Sequence, residues 1–159
     1  MSSTEQLFHA LRNGDVATLN QLLEDDPSLV SARDARGSTP LLLATYLEQA
    51  EVARALVAAG ADVNALDAAG NTPLMGVCFK GYRPMAEFLL AEGADPNVRN
   101  ASGGTALTFA ATFNQPDMVR LLLHAGADPG IKDFKGMSAA DHARTQGHHD
   151  TAALLSDRS

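Results

Sequence analysis

The side chains with the most obvious chemistry gather near the C-terminus, where His142, His148, His149 and Asp150 fall in one short stretch. Imidazole nitrogens with a carboxylate are ligands for zinc or nickel, and the same groups would serve a metal-binding or hydrolytic protein. Their spacing matches no established ligand register, so a polar cap closing the fold is the preferred reading. The single cysteine, Cys78, excludes an internal disulfide and would act as a nucleophile only if its thiol pKa were lowered. Ser38 lacks the flanking residues of a nucleophile elbow. Asn100-Ala-Ser102 matches a glycosylation sequon, which stays idle without a secretory leader. No phosphate-cradling glycine loop, H-E-x-x-H, C-x-x-C or calcium loop occurs. The expectation is a non-enzyme with no metal and no cofactor.

Charge narrows the partners. Twelve Lys and Arg against nineteen Asp and Glu leave a net charge of -7 on 159 residues, unsuited to coating nucleic acid or an anionic membrane. No apolar run approaches the roughly 20 residues of a spanning helix. The opening MSSTEQLFHALRNGD has no basic and then greasy segment, so a cytoplasmic protein is expected.

What must position these residues is a repeat. Gly37, Gly70, Gly103 and Gly136 are 33 residues apart, as are Gly60, Gly93 and Gly126. Residues 33–65, 66–98 and 99–131 overlay without a gap, and columns such as Thr39/72/105, Leu41/74/107 and Leu56/89/122 are identical. Weaker copies flank them, giving one array over 1–159: an N-terminal cap, 1–32, three full units, and a C-terminal cap, 132–159. Within 66–98, Asp67 to Gly70 signals a turn, Thr72 suits an N-cap and Pro73 the first helical position. A short helix from Leu74 to Lys80 ends at Gly81, and a second runs from about Pro84 to Ala91 before the left-handed Gly93. Helices this short cannot stand alone and must stack, so an all-α solenoid follows. Ser3 with Gln6 is the expected capping box of the first helix, and Arg144, Gln146, His148, His149, Asp150, Asp157 and Arg158 form a polar end that completes the array. Cys78, in register with Thr45 and Ala111, is expected to be packed. Asp34, Asp67 and Asp133 recur at the start of each finger, where a carboxylate hydrogen-bonds the turn backbone.

The segments Asp34-Ala-Arg-Gly-Ser-Thr-Pro-Leu and Asp67-Ala-Ala-Gly-Asn-Thr-Pro-Leu, with endings of the form Leu-Leu-x-x-Gly-Ala-Asp, resemble the ankyrin repeat over nearly the whole chain. The short first unit with Glu24-Asp-Asp-Pro-Ser-Leu29 resembles that of small free-standing bacterial arrays. The resemblance implies antiparallel helix pairs joined by β-hairpin-like fingers. It also implies a protein-binding module, an adaptor or an inhibitor, that is monomeric in isolation. The sequence departs from the family where Leu42, Met75, Thr108 and Asp141 replace a usual His, where Ala106 replaces Pro, and where Glu48 replaces Gly.

Carried onto this register, the family's inward-facing positions are Arg33, Arg36, Ser38, Tyr46 and Leu47, then Leu66, Asn71, Phe79 and Lys80. Arg99, Ser102, Thr112 and Phe113 follow, with Lys132, Phe134, Lys135 and Met137 from the last unit and Arg12 with Asn13 from the first. This set is basic and aromatic and holds no acid, whereas acids such as Glu24, Glu51, Glu87, Glu92 and Asp117 belong to the second helices. Such a face suits an acidic segment or surface of a partner protein.

Overall fold

The computed structural model describes residues 1–156, and its helices come in five successive pairs. They are α1 (Ser3–Arg12) with α2 (Val16–Asp25), α3 (Pro40–Tyr46) with α4 (Ala50–Ala58), and α5 (Pro73–Lys80) with α6 (Arg83–Ala91). The array continues with α7 (Ala106–Thr112) and α8 (Pro116–His124), then α9 (Ala139–Thr145) and α10 (His149–Ser156). A 3-10 turn, Pro27–Ser31, follows α2. Among the described residues there are no strands, so the fold is all-α and the fingers are hydrogen-bonded turns. Asp157 and Arg158, expected in the polar end, lie outside the described residues.

Each helix starts where its local chemistry permits. Thr39, Thr72 and Ser138 accept from the amides of Leu42, Met75 and Asp141, with Pro40 and Pro73 opening α3 and α5. The first helix corrects the expected cap: Ser2, not Ser3, is extended and accepts from the Glu5 amide, with Ser3 already inside the helix. Gln6 instead reaches the Met1 carbonyl. α6 begins at Arg83, one residue before Pro84.

The second helices α4, α6 and α8 end in one repeated motif, whereas α2 ends at Asp26 in extended backbone. Gly60, Gly93 and Gly126 have φ of 100°, 98° and 96°. In the first of these units the Ala61 amide donates to the Leu56 carbonyl and the Gly60 amide to Val57, pairing carbonyls that the helix end would orphan.

The core is a layer of leucines. Leu41, Leu74 and Leu107 on first helices and Leu56, Leu89 and Leu122 on second helices are fully buried. First helices pack α3 on α5, α5 on α7 and α7 on α9 more extensively than second helices pack on one another. The small residues Ala44, Ala110 and Ala143 permit that approach.

An asparagine ladder runs behind this core. Asn64 donates to the Gly93 carbonyl and accepts from the Asp95 amide, and Asn97 repeats both bonds with Gly126 and Asp128. The residues that replace the family's usual His also find work. Met75 sulfur, Thr108 Oγ1 and Asp141 Oδ2 each accept from the N-cap amide three residues back, which only Leu42 cannot do.

Candidate partner-binding face

Fingers and first-helix ends put the inward positions on one surface. Among the described residues the large exposed apolar side chains are Met1, Tyr46, Leu47, Leu66, Phe79, Phe113 and Phe134. All but Met1 belong to the sequence-derived set. Phe134 is the most open at 70% exposure, and Phe79 and Phe113 meet edge to face with centroids 4.5 Å apart.

Between the fingers of the second and third units lies a groove of about 740 Å³. Tyr46, Leu47 and Phe79 from the expected set line it, as do Leu42, Leu43, Pro73 and Phe109, which were not expected there. Its depth comes from Gly76, which stands in the column of Leu43, Phe109 and His142 but has no side chain. Reading variable positions alone overlooks these floor residues, because they sit one turn deeper on the same helices.

Several cations of the set are occupied within the chain. The Arg33 guanidinium donates to the carbonyls of Gly37 and Leu66, at 2.6 and 2.7 Å. Arg99 repeats this two finger pairs later, donating to Gly103 and Lys132, and its guanidinium lies 4.9 Å above the Phe134 ring. Lys80 donates to the Tyr46 carbonyl, sits 4.7 Å over the Tyr46 ring and is 4.0 Å from Glu48. These three side chains tie neighbouring units together. Among the described residues, no hydrogen bond or ion pair engages the charged ends of Arg36, Lys132 or Lys135, all exposed.

The acid-free description of the face needs correction, since Asp34 and Asp67 line the groove. Both fill the expected turn role: Asp34 Oδ1 accepts from the amides of Arg36 and Ser38, and Asp67 Oδ1 from Ala69 and Asn71. Asn100 occupies the same column and accepts from Ser102 and Gly104. Its amide nitrogen donates to Asn71, so the sequon side chain is committed to the finger.

Finger pairs are not equivalent. The Ala101 amide donates to the Ala69 carbonyl and the Phe134 amide to Ser102, each at 3.0 Å. The corresponding pair, Ala68 and Arg36, carries no such bond among the described residues, and the groove opens at that place.

The C-terminal histidines do not converge. His142 Nε2 lies 2.7 Å from Asp133 Oδ2, tying α9 to the last finger, whereas His149 is the first residue of α10 and His148 lies in the loop before it. Among the described residues no three His, Cys, Asp or Glu side chains are placed to share a metal ion. Hydrogen bonds from His142 and the Met137 amide hold the Asp133 carboxyl below its usual range. Asp141 is lowered to about 2, first by the Ser138 amide and then by Arg144. Cys78 is fully buried, and desolvation pushes its thiol far above the ordinary range, so it is packed and not a nucleophile.

Inter-helix loops show a further pattern that the sequence only hinted at. Glu48, Gly81, Asn114 and Gly147, spaced by 33, all have positive φ, as does Gly14 one residue out of step. Gln49 and Gln115 beside them donate back to the carbonyls of Arg12 and Phe79 in the preceding unit. Among the described residues no helix is long and apolar enough to cross a membrane.

A family model described as ankyrin repeats in three copies matches residues 7–100 and 75–159. Similar segments occur in larger proteins. A serine/threonine-protein kinase VIK of Arabidopsis thaliana is 47% identical over 58 residues, 36% of this chain and 13% of that protein. Ankyrin repeat domain-containing protein 29 of Danio rerio is 40% identical over 58 residues, covering 36% of this chain and 20% of its own length. Inversin of Gallus gallus is 36% identical over 63 residues, which is 6% of its length. The chain thus matches a fifth or less of each of these relatives.

Proposed function

The chain belongs to the ankyrin-repeat family, whose arrays are generally protein-protein interaction modules, and from that premise we propose that it binds a partner protein on its finger and first-helix face. The observation that carries this reading is the segregation of exposed apolar side chains. Six large ones, Tyr46, Leu47, Leu66, Phe79, Phe113 and Phe134, share that face. Contiguous exposed apolar surface among polar residues marks interaction sites, and aromatic residues dominate the energies of such contacts. Cations unpaired among the described residues, at Arg36, Lys132 and Lys135, favour an acidic partner segment or surface over nucleic acid, which the net charge of -7 opposes. The protein acts in the cytoplasm as a non-catalytic adaptor or inhibitor, monomeric before it engages its partner. The likeness of its first unit to small bacterial arrays belongs to this proposal too, since the relatives above are eukaryotic.

Quantitative affinity capture from cells of the source organism tests the face. The wild type is compared with Phe79→Ala/Phe113→Ala and with Arg120→Ser, which lies in the second-helix layer in α8 and pairs with Asp117. Partners lost by the first variant and kept by the second support the reading. Partners retained by both at wild-type strength place binding elsewhere. Adding the purified array to an isolated partner then separates inhibitor from adaptor, because only an inhibitor lowers the partner's activity.

A further inference from the structure

The concave face is not uniform, and its two ends want different chemistry. In the groove between the second and third units the formal charges balance, with Arg12 and Arg36 set against Asp34 and Asp67, while the walls are aromatic and aliphatic. Its floor is open because Gly76 has no side chain, so the cavity fits a bulky apolar group. At the far end the last finger offers Lys132 and Lys135, whose ammonium groups have no acceptor among the described residues, beside the open Phe134 ring. The nearby acid, Asp133, is turned to the finger amides and to His142. Between these ends the finger tips are small: Arg36, Ala69, Ser102 and Lys135 form one column, basic at its two ends only.

We propose that the occupant is an extended segment of a partner protein that carries one bulky apolar side chain and, about six to eight residues away, a cluster of Asp or Glu. This deepens, and rests on, the concave-face reading. The spacing follows from the stack. Packed helices lie about 8–10 Å apart, so two and a half units separate groove and last finger by roughly 20–25 Å. An extended chain covers about 3.3–3.6 Å per residue, which converts that span into the stated spacing. The apolar group enters the groove over Gly76 against Tyr46 and Phe79, and the carboxylates meet Lys132 and Lys135. Exposed backbone over the small tips Ala69 and Ser102 lets the intervening residues pass without specific contacts.

The test uses a displayed random library of segments about 16 residues long, selected on the immobilised full chain. The expected consensus pairs an aromatic or leucine residue with two or more acids at the stated separation. Synthetic peptides of that consensus, labelled for fluorescence anisotropy, should weaken about fivefold or more when the spacer is halved or doubled. Gly76→Phe, which fills the groove, should weaken them about tenfold, and Leu47→Ser, at an exposed wall position, should weaken them in the same direction without touching the core. Lys132→Ser/Lys135→Ser should weaken binding and flatten its salt dependence. Recovery of no peptides, a neutral or basic consensus, indifference to spacing, or full binding by both folded groove variants overturns the proposal. Self-association by sedimentation that Gly76→Phe abolishes would assign the face to a second copy of this chain and overturn it as well. If concave-face variants lose the captured partner while the peptides fail, the concave reading stands and only the two-part segment falls.

Discussion

Gly37, Gly70 and Gly103 occupy one column of the repeat and share φ near 80°, yet an alanine at each should behave differently. The backbone term is common to all three, because a Cβ in the left-handed region costs roughly 1–2 kcal/mol. Space is what separates them. A Cβ on Gly37 would lie 3.7 Å from Ala68 Cβ, an ordinary contact. On Gly70 it would lie 2.9 Å from the Ala101 nitrogen and 3.3 Å from Asn100 backbone atoms, and on Gly103 2.9 Å from the Phe134 nitrogen. Those nitrogens donate the two inter-finger bonds, so relief of either clash requires the fingers to part. Losing such a bond adds about 0.5–1.5 kcal/mol. Gly37→Ala should therefore destabilise by roughly 1–2 kcal/mol, and Gly70→Ala and Gly103→Ala by about 2–3 kcal/mol. Gly93→Ala, whose Cβ meets nothing within 4 Å, is the control for the backbone term alone.

Urea denaturation of the four variants provides the ranking, and amide hydrogen exchange localises it. The Ala101 amide should lose protection in Gly70→Ala and the Phe134 amide in Gly103→Ala, with both unchanged in Gly37→Ala. Equal destabilisation across the column would show that the fingers yield freely and that their bonds contribute nothing.

Further perturbations address other parts of the array. Glu48, a non-glycine at φ 60° on an exposed loop, should gain about 0.5–1 kcal/mol in thermal stability as Glu48→Gly, because the loss of its 4.0 Å contact with Lys80 matters less than the relieved backbone. Gly76→Ala should stabilise by up to about 1 kcal/mol, since its Cβ would sit 3.6 Å from Tyr46 in ordinary contact and helix propensity improves; a loss of stability in calorimetry would show that the first-helix row has no room there. Asp133 and Asp141 have depressed folded pKa values, so the stability they supply is fully present above the unfolded carboxylate value of about 4 and is lost as pH falls through the folded values, for Asp141 about 2. Asp133→Asn keeps an oxygen for the amides of Lys135 and Met137, as Asn100 does in its own finger, and should flatten the acid limb of a stability-against-pH curve; an acid limb identical to wild type would remove Asp133 from the account.

The fold was legible because a solenoid writes its contacts into a fixed period. Leu56, Leu89 and Leu122 had to share an environment once they shared a column, and Gly60, Gly93 and Gly126 had to end helices. The exposed aromatics were legible for the same reason, since first-helix ends recur at known positions. The cap at Ser2 was displaced because two adjacent serines offer the same hydroxyl and only backbone geometry chooses between them. Arg33, Arg99 and Lys80 were legible as cations on the face but not as ties, because their acceptors are carbonyls of the next unit, which no side-chain pattern encodes. The asparagine ladder is not legible in the sequence although Asn64 and Asn97 are 33 apart, because Gly130 interrupts the column and the partners are backbone groups of the next unit.

The most specific features of the face arise where the repeat is broken. Arg33 and Arg99 each clamp the next finger, and Leu66 between them cannot, having an exposed aliphatic chain where its column has guanidinium. Among the described residues, the bond that zips Ala101 to Ala69 and Phe134 to Ser102 has no counterpart between Ala68 and Arg36. Gly76 interrupts a column otherwise filled by Leu43, Phe109 and His142. Any one of these departures would slightly weaken a perfect array, because stability in a solenoid is the sum of nearest-neighbour contacts. Gly76 and the unzipped pair border the groove between the second and third units, and Leu66 stands beside that junction at the start of the third. A uniform stack has a uniform surface and can recognise only what repeats with it. A cavity with one depth and one position needs missing pieces, and here they fall together while the leucine columns behind them stay intact. The cost in cohesion at that junction is offset by the Arg33 tie and the continuous core, so the groove can be open in the free protein and already shaped for what enters it.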